Sequence, residues 1–507
     1  MALSPSSDFI DTLRFGALLV VGQVTVFEYS DAGEVIQQLD VPISVATITA
    51  DRNSATRRTG TVTAQFTPSI PVDPMLPTKP GDPLTPFGNE VNIAFGLATG
   101  NAGAVPLAVL AQAAGEYADE IVVDSIAVRD LLIEVGSTVV VGNSVPLTVT
   151  AIAGAGPYVL KLNGGLTHDQ PAGTLVQLTQ FIPCGQFVIT ETDVQASSNQ
   201  LTVSLSLSDR SFVLNARTLT APYTLPATQS GTYQDEVMAL LNMAWGTYSN
   251  IPPLQYNFAG ANNPVVPTGH YGHGQSPWQL ALDLAQVAGN ELYFDENGIV
   301  CSHTYPNVQT AAVKWWFTDQ SASIYSSPTK TVASGSPYTV PIEVRATFTR
   351  QGIFNEVFVT GSGSQNAPGA SSSSSTGTGH STSATSSSPV LAHAADFTVG
   401  SATYVDGALG PLPEFVSSNL VPTASQAQAM ASLDLAMSIS SAWQVTITTQ
   451  PNPLIDIDDV VSVLYPSVGV VGPGGLGLCM VVDSITMSVT YADSMEITGR
   501  VIPGRYA

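Results

Sequence analysis

The side chains whose type and spacing could bind a metal ion are two histidines and a short cluster of aspartates. His270 and His273 lie in a glycine-rich segment, and the aspartates are Asp456, Asp458 and Asp459. Two imidazoles bind Zn²⁺ only with a further ligand and a fixed loop. Ca²⁺ usually takes about six or more oxygen ligands, and no loop of that type follows the aspartates. We therefore expect the histidines to be exposed in a loop and the aspartates to lie at the solvated start of a strand. We expect neither group to bind a metal ion.

Nucleophile and phosphate motifs are the next candidates, and none is complete. The Gly-x-Ser-x-Gly turn of many hydrolases does not occur in the sequence. The segment GPGGLG at 472–477 looks like a phosphate-binding loop, but it lacks the Gly-Lys-Ser/Thr ending and lies between predicted strands. Cys184, Cys301 and Cys479 are far apart and form no CxxC pair. We expect them to be isolated buried thiols rather than parts of disulfides or a zinc site.

Carbohydrate chemistry leaves no local signature in a sequence. The paired carboxylates of a glycoside hydrolase are neighbours only in space, so the 39 acidic residues single out no pair. Trp315 and Trp316 could stack on sugars, but aromatic side chains also fill cores and subunit interfaces, which we favour here. The sequence thus predicts a non-enzymatic protein with no catalytic residue, no cofactor-binding residue and no cofactor.

The composition is unusual in its charge. Only 11% of the 507 residues are charged, against roughly 25% in an average globular protein, while 44% are hydrophobic. Acidic residues outnumber basic ones by 39 to 15, which gives a formal net charge of −24. The nearest approach to a basic cluster is Arg57 with Arg58, so tight binding to nucleic-acid phosphates is not expected. The excess negative charge would repel DNA, which suits a surface that DNA must slide past.

Targeting signals are not evident in the sequence. The first residues lack the basic and apolar regions of a signal peptide. The longest apolar run, at 17–21, is far shorter than the roughly 20 residues of a membrane span. We expect a soluble protein made in a cytoplasm, with three or four domains of about 100–200 residues each.

Alternation of apolar and polar residues predicts strands along most of the chain. Outside residues 99–180, strands are expected at 20–27, 41–50, 58–66, 89–95, 187–192, 200–208, 344–349, 356–360, 444–449, 459–464, 480–490 and 495–501. A proline-rich loop is expected at 68–86, because proline lacks the amide donor of a sheet. Residues 99–180 form an insert, and its short strands predict a small β-barrel. These strands are expected at 122–128, 138–141, 147–153, 158–162 and 174–178.

Three helices are predicted between the β regions. Thr232 can cap the first, which carries one apolar stripe and ends at Gly246. The second opens with Ser276 and a proline at its first position, and it stops at Gly289. The third covers 423–440.

Two further segments have local signals. An Asn-Gly pair at 297–298 predicts a hairpin across 291–303. Residues 361–389 are mostly Ser, Gly and Thr, which predicts a flexible loop. The segments FGNEV at 87–91 and FNEV at 354–357 echo each other, which fits two related β domains.

The order of several short motifs resembles the minor tail proteins of siphophages that infect actinobacteria. The motifs are DR at 51–52, RRTGTVT at 57–63, LTPFGNEV at 84–91, FIP at 181–183, SDRS at 208–211, SPW at 276–278, ELYFD at 291–295, NEV at 355–357 and QPNP at 450–453. They span nearly the whole chain, while the insert and the Ser-rich segment depart from the pattern. The insert itself is similar to small β-modules that recur in phage tail and bacterial surface proteins.

The resemblance implies a tail-hub fold, related to the hubs of contractile-tailed phages and of type VI secretion spikes. Such a fold is mainly β with a smaller α+β part. It has two tube-like β-barrel domains, an inserted small β-barrel and a lateral helix-containing domain. The implied boundaries are 1–98 with 181–222 for the first tube-like domain, 99–180 for the insert, 223–343 for the lateral domain and 344–507 for the second tube-like domain with its Ser/Gly-rich loop at 361–389.

The resemblance also implies a structural role in the virion, at the tail tip, after assembly in the host cytoplasm. Three chains would form a pseudo-hexameric ring that links the tail tube to the tip and lets DNA pass. The implied partners are two further copies of the chain, the distal tail protein, the tape measure protein and tip or fibre proteins, with no membrane insertion. Two alternatives remain open: an adhesin that binds a receptor or cell-wall carbohydrate, and a tail-associated peptidoglycan hydrolase.

Overall fold

The structure is a computed structural model, and strands account for a far larger share of the residues that it describes than helices do. The described residues are 13, 20–29, 34–66, 75–86, 88–99, 108–128, 131–142, 147–154, 156–197, 200–246, 252–305, 308–318, 338–350, 353–361, 390–397, 403–421, 423–440, 442–490 and 494–507. No helix within these ranges is long and apolar enough to cross a membrane. The mainly β fold with a smaller α+β part is confirmed.

Strands β1 to β14 come from the first part of the chain. They are Val20–Tyr29, Val35–Asp40, Ile43–Asp51, Arg58–Phe66, Glu90–Thr99, Ala108–Val109, Glu120–Val123, Ala127–Val128, Leu131–Leu132, Thr138–Val141, Leu147–Ala153, Tyr158–Leu162, Leu175–Ala196 and Leu201–Ser208. Strands β15 to β29 follow. They are Tyr223–Leu225, Tyr256–Asn257, Gly269–Tyr271, Asn290–Phe294, Val300–Thr304, Val313–Thr318, Tyr338–Thr339, Glu343–Phe348, Glu356–Gly361, Val390–Ala395, Pro413–Ser418, Trp443–Thr449, Val460–Leu464, Leu478–Ser488 and Met495–Tyr506.

The helices whose bounds lie within the described ranges are α1 (Ser211–Asn215), α2 (Tyr233–Trp245), α3 (Pro277–Ala288) and α4 (Ala424–Ser440). The last three were predicted, and α1 was not. Helix α3 has the predicted ends: the Ser276 hydroxyl accepts a hydrogen bond from the amide of Gln279, and Gly289 adopts a positive φ of 73°. A residue without a Cβ adopts this left-handed conformation at little cost, so the helix stops there.

Seven strands form what we call the first unit, in the order β2-β1-β5-β13-β14-β4-β3, with every neighbouring pair antiparallel. Strand β4 (RTGTVTAQF) shows why they form a sheet. Its buried side chains, Val62, Ala64 and Phe66, alternate with outward-facing ones. This period of two places one apolar face against the core.

Seven strands near the C-terminus form the second unit, in the order β21-β20-β27-β28-β29-β26-β22. Numbered along the chain, the seven strands of each unit pair in the same order. One strand differs in direction: β20 is parallel to β27, whereas its counterpart β1 is antiparallel to β5.

The bulges of the two units also correspond. In the first unit the β13–β14 ladder skips Thr190, and in the second the β28–β29 ladder skips Asp483. The two units share a continuous sheet, because residues 47–51 of β3 pair antiparallel with residues 484–488 of β28. One hydrophobic core extends through both.

The insert has a core of its own, and strands β7 and β10–β12 pair around it with the first part of β13. Three of its predicted strands, at 138–141, 147–153 and 158–162, have the observed bounds. The segment 122–128, predicted as one strand, contains the end of β7 and all of β8. The other difference is at 174–178. This segment is not a separate short strand but the start of β13, which runs for 22 residues from the insert into the first unit.

A third core lies to the side of the two units, and we call the elements around it the lateral part. It includes α2, α3 and the predicted hairpin β18–β19, together with α4 and one face of the small sheet β24-β23-β25. The sequence placed β23 to β25 and α4 within 344–507, with the second tube-like domain. It placed β20, at 313–318, within 223–343, whereas β20 pairs with β27 of the second unit.

The two copies of the Asn-Glu-Val sequence lie in strands that do not occupy equivalent positions in the two units. The first copy begins β5 of the first unit, and the second begins β23 of the lateral part. Both asparagines are buried and fix a neighbouring loop. Asn89 donates to the carbonyls of Asp82 and Pro83, and Asn355 binds three backbone groups of the segment 403–412. The interpretation of the echo as a sign of paired domains was therefore wrong. Of the Ser-rich loop, 362–389 lie outside the described residues.

Candidate functional site

Three arginines at the turn between β3 and β4 meet carboxylates from the lateral part and the second unit. We call this group the arginine junction, and its members are Arg52, Arg57, Arg58, Glu291, Asp456 and Asp458. Each unit and the lateral part contribute to it. The junction is therefore the point at which the three main parts of the molecule are joined by charge.

Asp458 and Glu291 share two of the arginines. Arg57 Nη2 donates to Asp458 Oδ2 at 2.7 Å. Arg52 Nε donates to Glu291 Oε1 at 2.9 Å and lies 3.2 Å from Asp458 Oδ1. The side chains of Arg52, Arg57 and Asp458 are only 5–8% exposed. Separating one partner from such a buried pair leaves the other charge uncompensated, which costs free energy. Because the partners come from different parts of the molecule, the pairs hold the three parts in one arrangement.

The third arginine and two tyrosines complete the junction. Arg58 Nη2 donates to Asp456 Oδ2 at 2.6 Å. The Arg52 guanidinium lies 4.1 Å from the centre of the Tyr305 ring, and that of Arg57 lies 4.0 Å from the centre of the Tyr293 ring. The flat guanidinium is attracted to the face of an aromatic ring, which fixes its orientation as well as its position.

The arginines lower the pKa values of both aspartates. Burial alone would raise the pKa of Asp458, but Arg57 and Arg52 outweigh it. Arg58 and Arg57 do the same for Asp456. A carboxyl group whose pKa is lower in the folded state stabilises the fold above its unfolded pKa, and this contribution is lost as the pH falls through the folded value. The junction therefore weakens in acid.

A second buried cluster joins the first unit to the lateral part. The Glu90 carboxylate is fully buried and accepts hydrogen bonds from Arg210 Nε at 2.6 Å and Nη2 at 2.7 Å. It also accepts from the Tyr29 hydroxyl and the Gln186 amide, both at 2.6 Å. Arg210 Nη1 donates to the carbonyl of Gly298, at the turn of the lateral hairpin. Burial, and then the charge of Glu90, raise the pKa of Tyr29, so its hydroxyl keeps its proton.

A third cluster joins the second unit to the lateral part. Arg500 Nε lies 2.8 Å from both oxygens of Asp483, the residue at the bulge of β28. Arg500 also donates to the carbonyl of Met437 in α4 and to the hydroxyl of Tyr305. The bulge thus turns a carboxylate toward an arginine that contacts the lateral part.

The aspartates singled out from the sequence take part in this network. The expectation of a solvated strand entrance was wrong for Asp458, which is buried with Arg57 and Arg52. Asp459 accepts from the ammonium group of Lys314 at 2.7 Å. Lys314 is 145 residues from Asp459, and the arginine partners are 401 residues from Asp458 and 398 residues from Asp456 along the chain.

The histidines do not converge on a site. Both are exposed, and His270 Nδ1 lies 3.0 Å from the hydroxyl of Thr224 on the paired strand. No group of three or more His, Cys, Asp or Glu side chains among the described residues is placed to hold a metal ion. The segment at 472–477 contains a short 3₁₀ turn between β27 and β28.

The cysteines and the tryptophan pair belong to the interior. Cys184, Cys301 and Cys479 are free and buried, as expected. Trp315 is 1% exposed, and its indole Nε1 donates to the hydroxyl of Thr339 at 3.0 Å. Its neighbour Trp316 is partly buried.

The pairs Glu90–Arg210 and Asp483–Arg500 were not predicted from the sequence. One signal was present, because Glu90 lies at the start of an apolar strand. A charged residue beside a buried strand needs a partner.

An acidic pocket with a volume of about 590 Å³ lies where the lateral part and the second unit meet the end of β3. Asp434 of α4 lines it. Burial raises the pKa of Asp434 to about 6, the hydrogen bond from Gln286 opposes this rise, and the charge of Glu414 adds to it. A carboxyl group whose pKa is higher in the folded state disfavours folding once it ionises, and the penalty disappears as the pH falls toward its unfolded pKa.

Replacing Asp434 by asparagine is therefore expected to raise the free energy of unfolding at about pH 7.5 and to leave it nearly unchanged at about pH 4. Urea unfolding at the two pH values measures the difference. Asp406→Asn is the matched control, because Asp406 is exposed. A gain of the same size at both pH values would contradict the assignment.

Comparison with known proteins yields matches of fold only. No protein-family model matches the chain, and no curated protein matches it by sequence. The tail protein from Neisseria meningitidis MC58 matches with a TM-score of 0.51 at 10% identity, over 95% of this chain and 96% of that one. The 43 kDa tail protein of prophage MuSo2 from Shewanella oneidensis matches with a TM-score of 0.46 at 11% identity, over 95% and 98%.

A third structure, the prophage tail protein gp18 from Listeria monocytogenes EGD-e, matches with a TM-score of 0.45 at 8% identity, over 95% of both chains. The chain therefore shares the fold of the Neisseria tail protein along nearly its whole length. The tail-protein fold implied by the order of motifs is confirmed.

Proposed function

We propose that this chain is a structural hub protein of a bacteriophage tail tip, and that three copies form a ring of six alternating units around a passage for DNA. The ring would link the tail tube and its distal tail protein to the tip. Its further partners would be the tape measure protein and tip or fibre proteins. The role is mechanical, without catalysis or a cofactor, and the protein would lie in the virion after assembly in the host cytoplasm.

The observation that carries this proposal is the repeated strand order. Two seven-stranded units with the same order and corresponding bulges occur in one chain, joined edge to edge by β3 and β28. A protein with two such units needs only three copies to present six similar positions. The fold shared with the Neisseria tail protein supports the same conclusion.

The structure also suggests how the chain divides into domains. We assign residues 1–98 with 181–222 to the first unit and residues 99–180 to the insert. We assign β20 to β22 and β26 to β29 to the second unit, because they pair with each other. The lateral part then takes residues 223–304 together with β23 to β25 and α4, which share its core.

The charge distribution supports a passage for DNA. Five of the 15 basic residues, all arginines, are buried against carboxylates: Arg52, Arg57, Arg58, Arg210 and Arg500. The remaining surface is thereby depleted of the cations that bind phosphates. A genome sliding past such a surface would not adhere to it.

Mass photometry and electron microscopy of the purified chain test the proposal. The expected particle has three times the chain mass of 52.7 kDa and shows a ring with a central opening. Antibody labelling of phage particles is expected to mark the tail tip. A chain that remains monomeric at all concentrations, or a trimer without an opening, would contradict the ring.

The two alternatives from the sequence remain predictions. Binding of the purified chain to a glycan array would favour the adhesin. Clearing of host cell walls in a zymogram would favour the hydrolase.

A further inference from the structure

The two units are joined within one chain by the pairing of β3 with β28. Each of these strands has an equivalent strand in the other unit, and that equivalent strand has an edge with no strand partner among the described residues. β3 of the first unit pairs with the last part of β28 of the second. The counterpart of β3 is β22, whose strand partner among the described residues is β26. The counterpart of β28 is β13, and beyond Thr190 its strand partner among the described residues is β14.

The equivalence can be followed residue by residue from the bulges. In the first unit, we follow the cross-strand pairs from the residue after the bulge. Glu191 pairs with Ser206, Ser206 with Thr61, and Thr61 with Thr47. In the second unit, the same series of pairs runs through Ser484, Thr498, Thr446 and Arg345. Thr47 and Arg345 therefore hold equivalent positions on β3 and β22. Because Thr47 pairs with Ser488, the equivalent partner of Arg345 is Gln195, four residues after Glu191.

Apolar side chains on the core face are left uncovered at both open edges. Phe348 lies on the same face of β22 as buried Val344, yet it is 73% exposed. Val194 pairs with buried Val203, yet it is 43% exposed. At the pairing within the chain, the equivalent residues are buried: Ala50 in place of Phe348, and Met487 in place of Val194. Apolar groups on a core face are normally covered, so each edge is suited to pairing with a strand of another chain.

The charges at the two edges are complementary. On β13, Glu191 and Asp193 are exposed on the same face as Gln195. Arg345 is exposed on β22. If Arg345 lay opposite Gln195, its guanidinium would be diagonal to Asp193, a distance that a long side chain can span.

We infer that β22 of one copy pairs antiparallel with residues 191–195 of β13 of the next copy, with Arg345 opposite Gln195 and Phe348 opposite Thr192. The second copy is thus the partner that covers both edges. This inference rests on the proposed ring and specifies its contact between chains. The contact is head-to-tail, because β22 and β13 are different surfaces, and such a contact gives either a closed ring or a filament.

Disulfide cross-linking of the full chain tests the pairing. Directly opposite residues in an antiparallel pair have Cβ atoms about 4.5–5.5 Å apart, within reach of a disulfide. The double variant Gln195→Cys with Arg345→Cys is expected, on oxidation, to give covalent species of two and three chains and none larger. The matched control is Gln195→Cys with Glu343→Cys, which moves one thiol two residues along the same face and is expected to cross-link weakly.

A charge reversal provides a second measurement that does not depend on disulfide chemistry. Arg345→Glu is expected to weaken self-association at least tenfold, and adding Asp193→Arg is expected to restore it. The pairing would be wrong if the trimer cross-linked better through the control pair, or if Arg345→Glu left self-association unchanged. Neither result would contradict the proposed ring. A monomeric parent chain would overturn both the pairing and the ring.

Discussion

Replacing Arg210 by alanine is expected to lower the free energy of unfolding by about 3–5 kcal/mol. The Glu90 carboxylate, which is fully buried, would lose both of its charged hydrogen bonds and keep only those from Tyr29 and Gln186. The carbonyl of Gly298 would lose its donor as well. Urea unfolding followed by tryptophan fluorescence measures the loss, since Trp245 lies beside the Arg210 guanidinium.

Two variants separate the effect of the charge from that of its geometry. Arg350→Ala is the matched control, because Arg350 is exposed, and a change within about 0.5 kcal/mol is expected. Arg210→Lys keeps the positive charge but cannot form two parallel hydrogen bonds, so an intermediate loss is expected. If Arg210→Ala were as stable as the control, Glu90 would not depend on this partner.

Replacing Trp278 by alanine is expected to cost about 3–5 kcal/mol. The indole is 1% exposed, and its ring centre lies 5.2 Å from that of Phe294. Its Nε1 donates to the carbonyl of Ala55 at 2.8 Å, in the turn that carries the arginine junction. The substitution therefore opens a cavity in the lateral core and also releases the turn of the first unit.

Trp278→Phe distinguishes these two contributions. It keeps most of the buried volume and removes the hydrogen bond to Ala55, so a loss of about 1–2 kcal/mol is expected. Phe415→Ala is the control, because Phe415 is 76% exposed. Equal losses for Trp278→Phe and Trp278→Ala would show that filling the cavity contributes nothing.

Features encoded by neighbouring residues could be predicted from the sequence. Strand 58–66 matches at both ends because its alternation is strict, and helix α3 begins and ends at its predicted serine and glycine. The Asn-Gly turn gives the hairpin β18–β19. In each case a few adjacent side chains determine the backbone conformation.

The arginine junction could not be predicted in this way. Arg57 and Asp458 are 401 residues apart, and Arg58 and Asp456 are 398 apart. Each run of charges has an ordinary interpretation by itself, as an exposed turn or a solvated strand end. Only the fold brings them together and removes the water between them.

The repeated strand order was likewise hidden from the sequence. The short echo that suggested two related domains connects β5 with β23, which are not counterparts. The true correspondence lies in pairing order and bulge position, and neither leaves a shared run of residues. Strand β20, for example, pairs with β27, so that Val313 lies opposite Val460.

The 22-residue strand β13 has a mechanical consequence. At about 3.3 Å per residue its contour length is about 70 Å, with one end in the insert and the other in the first unit. Leu178 and Thr179 of β13 pair both with β10 of the insert and with β5 of the first unit, so a rotation of the insert would break backbone pairs of this ladder. A force applied to the insert from outside would therefore be transmitted along β13 to the strand edge at which we propose that the next copy pairs.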